Sequence, residues 1–330
     1  MIEAFAETEF NAASRPMLEP SGWRIAPLRC YELGLRLKGA PEPPAAEPLA
    51  PSRDESLLAE IMAAAICHST NWDRLRQVIS ARAAETDIFA NPSSLSAISL
   101  ADFQRLFGDA FSASNGIRAR HAIITDTATR IGRGEPFALE DILTRPVRLS
   151  GRGGLYERLG QLPAFGRDPE AKKARVLIQE LCRGGLIVPS DKDAVRPAIE
   201  YHLIRLYMRT ERVLPPDQTD ERLQEGATFR APVIMSLRRA VEEAMFITAS
   251  AAELPIYHVN QIEWQIARSF CERSGPRCVG PPRPDKPCDE SVLSLCEGLA
   301  CPFVSICDGP RNARLASLVE PQLSTRYDFY

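Results

Sequence analysis

An all-α chain is what this sequence predicts, on three observations. Apolar residues recur at helical spacing in one stretch after another, and no alternation of period two runs for any length. The breaks between the periodic stretches carry residues that cap or stop helices. Residues 1–53 are the exception and read as weakly structured. Within them Ala40–Arg53 (APEPPAAEPLAPSR) is a Pro/Ala linker, because proline removes a helical donor and clashes with the preceding turn.

Asp54 is the predicted cap of a helix over Glu55–Cys67, where Leu57, Leu58, Ile61, Met62, Ala65 and Ile66 form one stripe. The helix ends in a polar and aromatic break, His68–Trp72, before a second helix near Asp73–Ala84. Shorter helices are read at Ser99–Phe107, Ile117–Arg133 and Leu139–Leu143, with breaks at Asn115-Gly116 and Gly132–Gly134. Leu155–Gln161 and Pro169–Cys182 form a helical pair around the tight turn Leu162–Arg167, LPAFGR. Pro197 and Glu200 open the next helix, with Ile199, Leu203, Leu206 and Tyr207 on its buried face. A polar connection, Pro215–Phe229, leads to helices Pro232–Thr248 and Asn260–Phe270. The stripe Val233, Leu237, Val241, Ala244, Met245 and Ile247 in the first of these is core.

The 330 residues leave room for two domains, and 45% apolar with 25% charged residues is ordinary globular composition. The longest apolar runs, near Met62–Cys67 and Ala244–Ile247, fall far short of a membrane span, and Met1–Phe10 does not resemble a signal peptide. The expectation is a cytoplasmic monomer with no membrane partner. A net charge of −3 argues mildly against nucleic acid, since phosphate binding draws on Lys and Arg. Locally the balance differs: Arg148, Arg152, Arg158, Arg167, Lys172 and Lys173 face only Glu157, Asp168 and Glu170, a strip basic enough for docking on DNA.

Six of the nine cysteines fall between Cys271 and Cys307. Six residues separate Cys271 from Cys278 and five separate Cys301 from Cys307, with Cys288 and Cys296 between the pairs. Four thiolates near one chain end are what a [4Fe–4S] cluster needs. Zinc sites use ligand pairs two to four residues apart, and only Cys296 and Cys301 come near that. Structural disulfides need an oxidising compartment that nothing here signals. Which four of the six bind is open from the spacing itself; by resemblance to a known iron–sulfur loop the outer pairs Cys271, Cys278, Cys301 and Cys307 are the expected ligands, with Cys288 and Cys296 as alternates.

The cysteine spacing resembles the C-x6-C-x2-C-x5-C loop of the helix-hairpin-helix DNA glycosylases of the endonuclease III family, except that 22 residues replace the two between the second and third ligands. The lead-in Trp264–Cys271 is similar too. The turn LPAFGR resembles the family's LPGVGR hairpin, with Ala164 in place of one glycine, which implies that Gly166, Arg167 and Lys173 contact a DNA phosphate. The run Asp168–Lys172 looks like the D-P-x-A-K of archaeal 8-oxoguanine glycosylases, whose Schiff-base lysine falls on Lys172, with Lys173 as the alternative. Ala198–Leu206 resembles the family's VDTHIFRV segment and puts its catalytic aspartate on Glu200, here one methylene longer. By the same likeness Asn71, Trp72 and His202 are base-pocket residues, Trp72 stacking on a flipped base.

The resemblance spans residues 155–307 and implies a two-domain helix-hairpin-helix glycosylase fold with a C-terminal iron–sulfur cluster loop. The segment 1–53 would precede a helical domain, 54–195, that ends in the hairpin. A second helical domain, 196–330, would hold the carboxylate and the cysteines, with Lys172 and Glu200 converging on an extruded nucleotide in a cleft between domains. The implied activity is excision of a damaged or modified base from DNA, with AP-lyase activity open and bases of foreign DNA admissible. Two rivals remain: a nucleotide N-glycosidase of the queuosine-salvage type, and a non-catalytic iron–sulfur DNA-binding protein.

Overall fold

The computed structural model describes residues 17–18, 22–111, 116–144, 146–168, 170–216 and 219–323. Asn115, Pro169 and the stretch Met1–Phe10, all of which enter the sequence reading, lie outside the described residues. The described chain is mostly helical, its strands two residues long, so the all-α expectation holds. Two compact units form among the described residues, one from Ala45–Ala198 and the other from those up to Pro44 together with those of Ile199–Leu323. No helix among the described residues is long and apolar enough to cross a membrane.

The N-terminal segment departs from the weak structure expected of it. After β1 (Met17–Leu18) and β2 (Arg24–Ile25) comes α1 (Pro27–Leu37), with Pro27 at its first turn, where a missing N–H is no loss. Cys30, Leu33, Gly34 and Leu37 form its buried face. Here α1 comes so close to the Thr248–Ala251 turn that a Cβ on Gly34 would stand 2.5 Å from the Thr248 carbonyl oxygen. Only a residue without a side chain permits that approach.

The Ala45–Ala198 unit is built on α2 (Arg53–Ile66), in which every residue from Ser56 to Ile66 is buried. A helix buried on all sides is a central helix, and the others wrap it. Its cap is Ser52 rather than Asp54: the Ser52 hydroxyl accepts from the Glu55 N–H, and the Glu55 carboxylate accepts from the Ser52 N–H. Around it lie α3 (Trp72–Glu85), α4 (Pro92–Ser96), α5 (Leu100–Phe107), α6 (Ile117–Gly132) and α7 (Leu139–Leu143). The hairpin follows as α8 (Leu155–Gly160), a single turn α9 (Pro163–Gly166) and α10 (Lys172–Arg183). The last helix begins at Lys172 because Ala171 sits at φ 52°, a left-handed conformation that a helix cannot pass through. Arg76 of α3 joins α2 to α10 by pairing with Glu60 at 2.7 Å and Glu180 at 3.3 Å.

The second unit continues with α11 (Tyr201–Arg209), β3 (Val213–Leu214), α12 (Asp220–Gln224), β4 (Thr228–Phe229), α13 (Ala231–Ala252) and α14 (Ile256–Ser269). It closes with β5 (Cys271–Glu272), β6 (Gly275–Pro276), α15 (Glu290–Leu293), α16 (Ala313–Ser317) and β7 (Gln322–Leu323). Strand β2 pairs antiparallel with both β1 and β3, Arg24 opposite Leu214, which ties the N-terminal segment into this unit. In α13, Leu237, Val241, Ala244 and Met245 are core as expected, while Val233 and Ile247 are only partly buried. Beneath them lies a fully buried ion pair, Arg212 with Glu263, its guanidinium 3.6 Å from the Tyr207 ring centre and the Tyr207 hydroxyl donating to Glu263. A buried pair of this kind stands only where further hydrogen bonds surround it, as Thr210 and Thr248 do here.

Candidate functional site

The loop after α14 carries the cysteines. Cys271 lies on β5, paired with Pro276 of β6, and the Cys301 N–H donates to the Cys278 carbonyl at 2.9 Å, so the two predicted ligand pairs meet through backbone. Cys271, Cys278, Cys301 and Cys307 are all buried and fall within one another's electrostatic reach. Burial first, and the neighbouring thiolates second, push the Cys278 thiol up to about 12; Cys301 and Cys307 are raised mainly by burial as well. Polar hydrogens and charge are aimed at these sulfurs. Arg209 Nη1 donates to Cys271 Sγ at 3.6 Å and the Gly309 N–H to Cys307 Sγ at 3.4 Å. A Cβ on Gly309 would stand 3.2 Å from Cys307 Sγ. Arg29 and Arg212 act on Cys307 from further off, both favouring its thiolate.

Such a set suits a group that brings several cations: each thiolate that burial disfavours would gain an iron, and N–H donors to cluster sulfurs are among the groups that tune such centres. Among the described residues no three His, Cys, Asp or Glu side chains close to the spacing of a single metal ion. A four-iron cluster does not ask for that closeness, because each thiolate binds a different iron. Cys288 and Cys296 keep other company. Cys288 is buried beside Ser269 of α14 and acts on Cys296, whose thiol donates to the Val292 carbonyl of α15 at 3.4 Å.

Glu200 sits at the head of α11, where its side chain accepts the His202 N–H at 2.9 Å, an N-cap that keeps a carboxylate beside the positive end of the helix. His202 is half-buried, its ring 4.1 Å from that of Tyr201 and its Nδ1 2.8 Å from Arg205 Nη2. Arg205, one turn on, is buried; it donates to the Cys271 carbonyl at 2.7 Å and pairs with Glu320 at 2.6 Å. Arg209, a further turn on, reaches Cys271 Sγ and the carbonyls of Glu272 and Leu318. One helix thus carries the carboxylate at its start and grips the first cysteine from its second and third turns. The spacing of Arg205 and Arg209 at i and i+4, on the same side as Tyr201, was visible in the sequence, but their partners lie in loops that no periodicity locates.

In the other unit, Gly166 and Arg167 are exposed at the turn between α8 and α10. A Cβ on Gly166 would stand 2.1 Å from the Gly160 carbonyl oxygen, so this glycine is what lets the hairpin close. The turn's N–H groups of Phe165 and Gly166 both bond to the Leu162 carbonyl and that of Asp168 to Phe165. Asp168 then caps α10, its carboxylate accepting the Glu170 and Lys173 N–H groups at 3.2 and 3.0 Å. Lys172 is half-buried. Lys173, expected at a phosphate, is instead the buried lysine: its Nζ donates to the Ala65 carbonyl at 2.7 Å and lies 3.5 Å from His68 Nδ1. Burial pulls its ammonium below the ordinary range, Cys67 and Asp168 opposing that shift. Buried Arg120 donates to the Ile66 carbonyl at 3.2 Å and to the His68 carbonyl, so two cations close the C-terminal end of α2. Between them His68 is held neutral down to about 3, by burial first and the two cations second.

Asn71 caps α3, its side chain accepting the Arg74 N–H at 3.1 Å. Trp72 is the first residue of that helix, half-buried, with the Arg76 guanidinium 5.5 Å over its ring. No protein-family model matches this chain, and no curated protein does.

Proposed function

We propose that the chain is a DNA glycosylase of the helix-hairpin-helix class, with a [4Fe–4S] cluster held by Cys271, Cys278, Cys301 and Cys307. The observation that carries this reading is α11, whose N-cap carboxylate and cysteine-gripping arginines share one rigid element. The exposed Gly166–Arg167 turn supports a hairpin that docks on a backbone phosphate without reading sequence. DNA is the partner, and a cytoplasmic monomer the form, that the reading assumes.

Cleavage of the N-glycosidic bond sends its electron pair to the base and leaves positive charge on the sugar. Glu200 is assigned to stabilise that charge, a role suited to a carboxylate placed at the head of α11. Lys172, or a water, then attacks C1′; Lys173 is assigned to structure, because its ammonium is committed to the end of α2. When bound, the cluster rigidifies the loop and takes no part in bond breaking.

The testing experiment measures base release from modified duplexes, modified single strands and free modified nucleotides with one preparation. Release from duplex supports the reading. Release from free nucleotides alone makes the protein a nucleotide N-glycosidase, and binding without release makes it a DNA-binding module.

A further inference from the structure

The Cys301–Cys307 turn is fastened by a helix from the other end of the chain. Inside the turn the Val304 N–H donates to the Cys301 carbonyl at 2.9 Å and the Cys307 N–H to the Phe303 carbonyl at 2.7 Å. The carbonyls of Pro302 and Ile306, each next to a cysteine, are met from α1. Arg36 Nε donates to the Pro302 carbonyl at 3.1 Å, and its guanidinium also pairs with Glu297. Arg29 Nη2 donates to the Ile306 carbonyl and lies 3.3 Å from the Asp308 carboxylate. Seven residues separate the two arginines, which is two helical turns or about 10 Å of rise, so they share one side of α1.

The bonds to carbonyls matter more here than the ion pairs. The Glu297 and Asp308 side chains are 61% and 49% exposed, and pairs open to water contribute little. Pro302 is buried, where a carbonyl that loses its donor is costly. The helix that supplies the donors is itself fixed. Gly34 lets α1 close onto the Thr248–Ala251 turn, and Arg29 Nε donates to the Thr210 carbonyl at the end of α11 at 3.2 Å. One anchored helix therefore holds the turn at two points, one beside each cysteine. Because the Cys301 N–H is bonded to the Cys278 carbonyl, the hold at Pro302 extends to a third cysteine.

We propose that α1 is a clasp that retains the iron–sulfur cluster, with Arg36 and Arg29 as the positioning residues for Cys301 and Cys307. This rests on the cluster reading above and adds to it a part for the N-terminal segment. Both arginines act through the peptide backbone beside the ligands. A turn released from α1 no longer fixes two of the four thiolates, and a less firmly held set of ligands gives up iron faster to a competitor.

The experiment follows iron release from the full chain, reconstituted anaerobically with ferrous iron and sulfide, after an excess of a ferrous chelator is added. Arg29→Met and Arg36→Met keep a long apolar stem and lose the donors, while Arg36→Lys keeps one cationic donor. Lys38→Met is the control, since Lys38 lies on the same helix but pairs with Glu253 at the end of α13. All are compared well below the thermal midpoint of every variant, so that release does not report unfolding. Release should quicken by about tenfold or more in Arg29→Met and by about threefold to tenfold in Arg36→Met, whose side chain is more exposed. Arg36→Lys should fall between Arg36→Met and the parent, and Lys38→Met should match the parent. Should Arg29→Met fail to fold, the Arg36 pair of variants decides alone. Release at the parent's rate in both methionine variants, or an equal acceleration in Lys38→Met, would overturn the proposal. A parent that takes up no iron refutes the cluster reading itself, and the clasp falls with it; that failure is told apart because it shows before any chelator is added.

Discussion

Replacing Arg205 with methionine removes a buried guanidinium while keeping a long apolar stem. Three groups lose a partner: the Cys271 carbonyl at 2.7 Å, His202 Nδ1 at 2.8 Å and Glu320 at 2.6 Å. Removing one member of a buried ion pair costs about 3–5 kcal/mol, because the other charge stays behind. Glu320 keeps Arg273, at 2.6 Å and 43% exposed, so the lower end applies, about 3 kcal/mol. At about 2–4 °C per kcal/mol for a unit of this size, the midpoint of this unit should fall by about 6–12 °C. Thermal unfolding followed by circular dichroism measures it, together with the double-mutant cycle of Arg205→Met and Glu320→Gln. A coupling of at least about 1 kcal/mol is expected for partners in direct contact. Iron retained on gel filtration should drop as well, since the strand bearing Cys271 loses one of its ties to α11 and keeps those of Arg209. A midpoint within about 2 °C of the parent, with no coupling in the cycle, would refute the claim that α11 holds the cysteine loop.

Anaerobically purified protein should be brown with about four irons per chain; Cys271→Ser or Cys307→Ser should bleach it and Cys67→Ser should not, whereas one zinc and no iron would end the cluster assignment. Gly166→Ala must push its Cβ against the Gly160 carbonyl and should cost about 1–3 kcal/mol and weaken DNA binding. The control Gly160→Ala, whose Cβ meets nothing within 4 Å, should do neither, and equal effects in denaturant titrations would contradict the hairpin geometry. His68 is held to about 3 when folded and titrates near 6.5 when unfolded, so the unfolded chain binds the extra proton between those values. Stability should therefore decline as pH falls from about 6.5 toward 3, and His68→Gln should flatten part of that slope relative to the parent. Borohydride trapping on a substrate that releases base should give a protein–DNA adduct with the parent and none with Lys172→Ala; release without an adduct would assign the attack to water.

The helices were legible where apolar residues repeat at helical spacing, as with Leu57, Ile61 and Ala65 of α2, although burial of that helix on all sides was not, and the scarcity of strands followed from the same patterning. Where a single backbone angle decides, sequence gave less warning: Ala171 in a left-handed conformation moves the start of α10 to Lys172. Cys30, Leu33 and Leu37 keep helical spacing in the N-terminal helix, but so short a stripe beside a Pro-rich linker is a weak local signal, and the contacts that stabilise it come from α13 far along the chain. Lys173 could have been placed inside: Leu177 and Leu181 follow it at intervals of four on the buried face of α10. The arginines that grip the cysteine loop could not, since a buried cation and an exposed one look alike until the carbonyls and carboxylates around them are folded into place.

The central claim is that Glu200 supports bond breaking at the head of α11. Glu200→Gln keeps an oxygen able to accept the His202 N–H, so the helix cap and DNA affinity should persist while the negative charge is lost. Single-turnover base release from the parent's best duplex substrate should then slow by about 10²–10³-fold at unchanged binding. A Glu200→Gln variant that excises as fast as the parent would place the catalytic charge elsewhere and contradict the account.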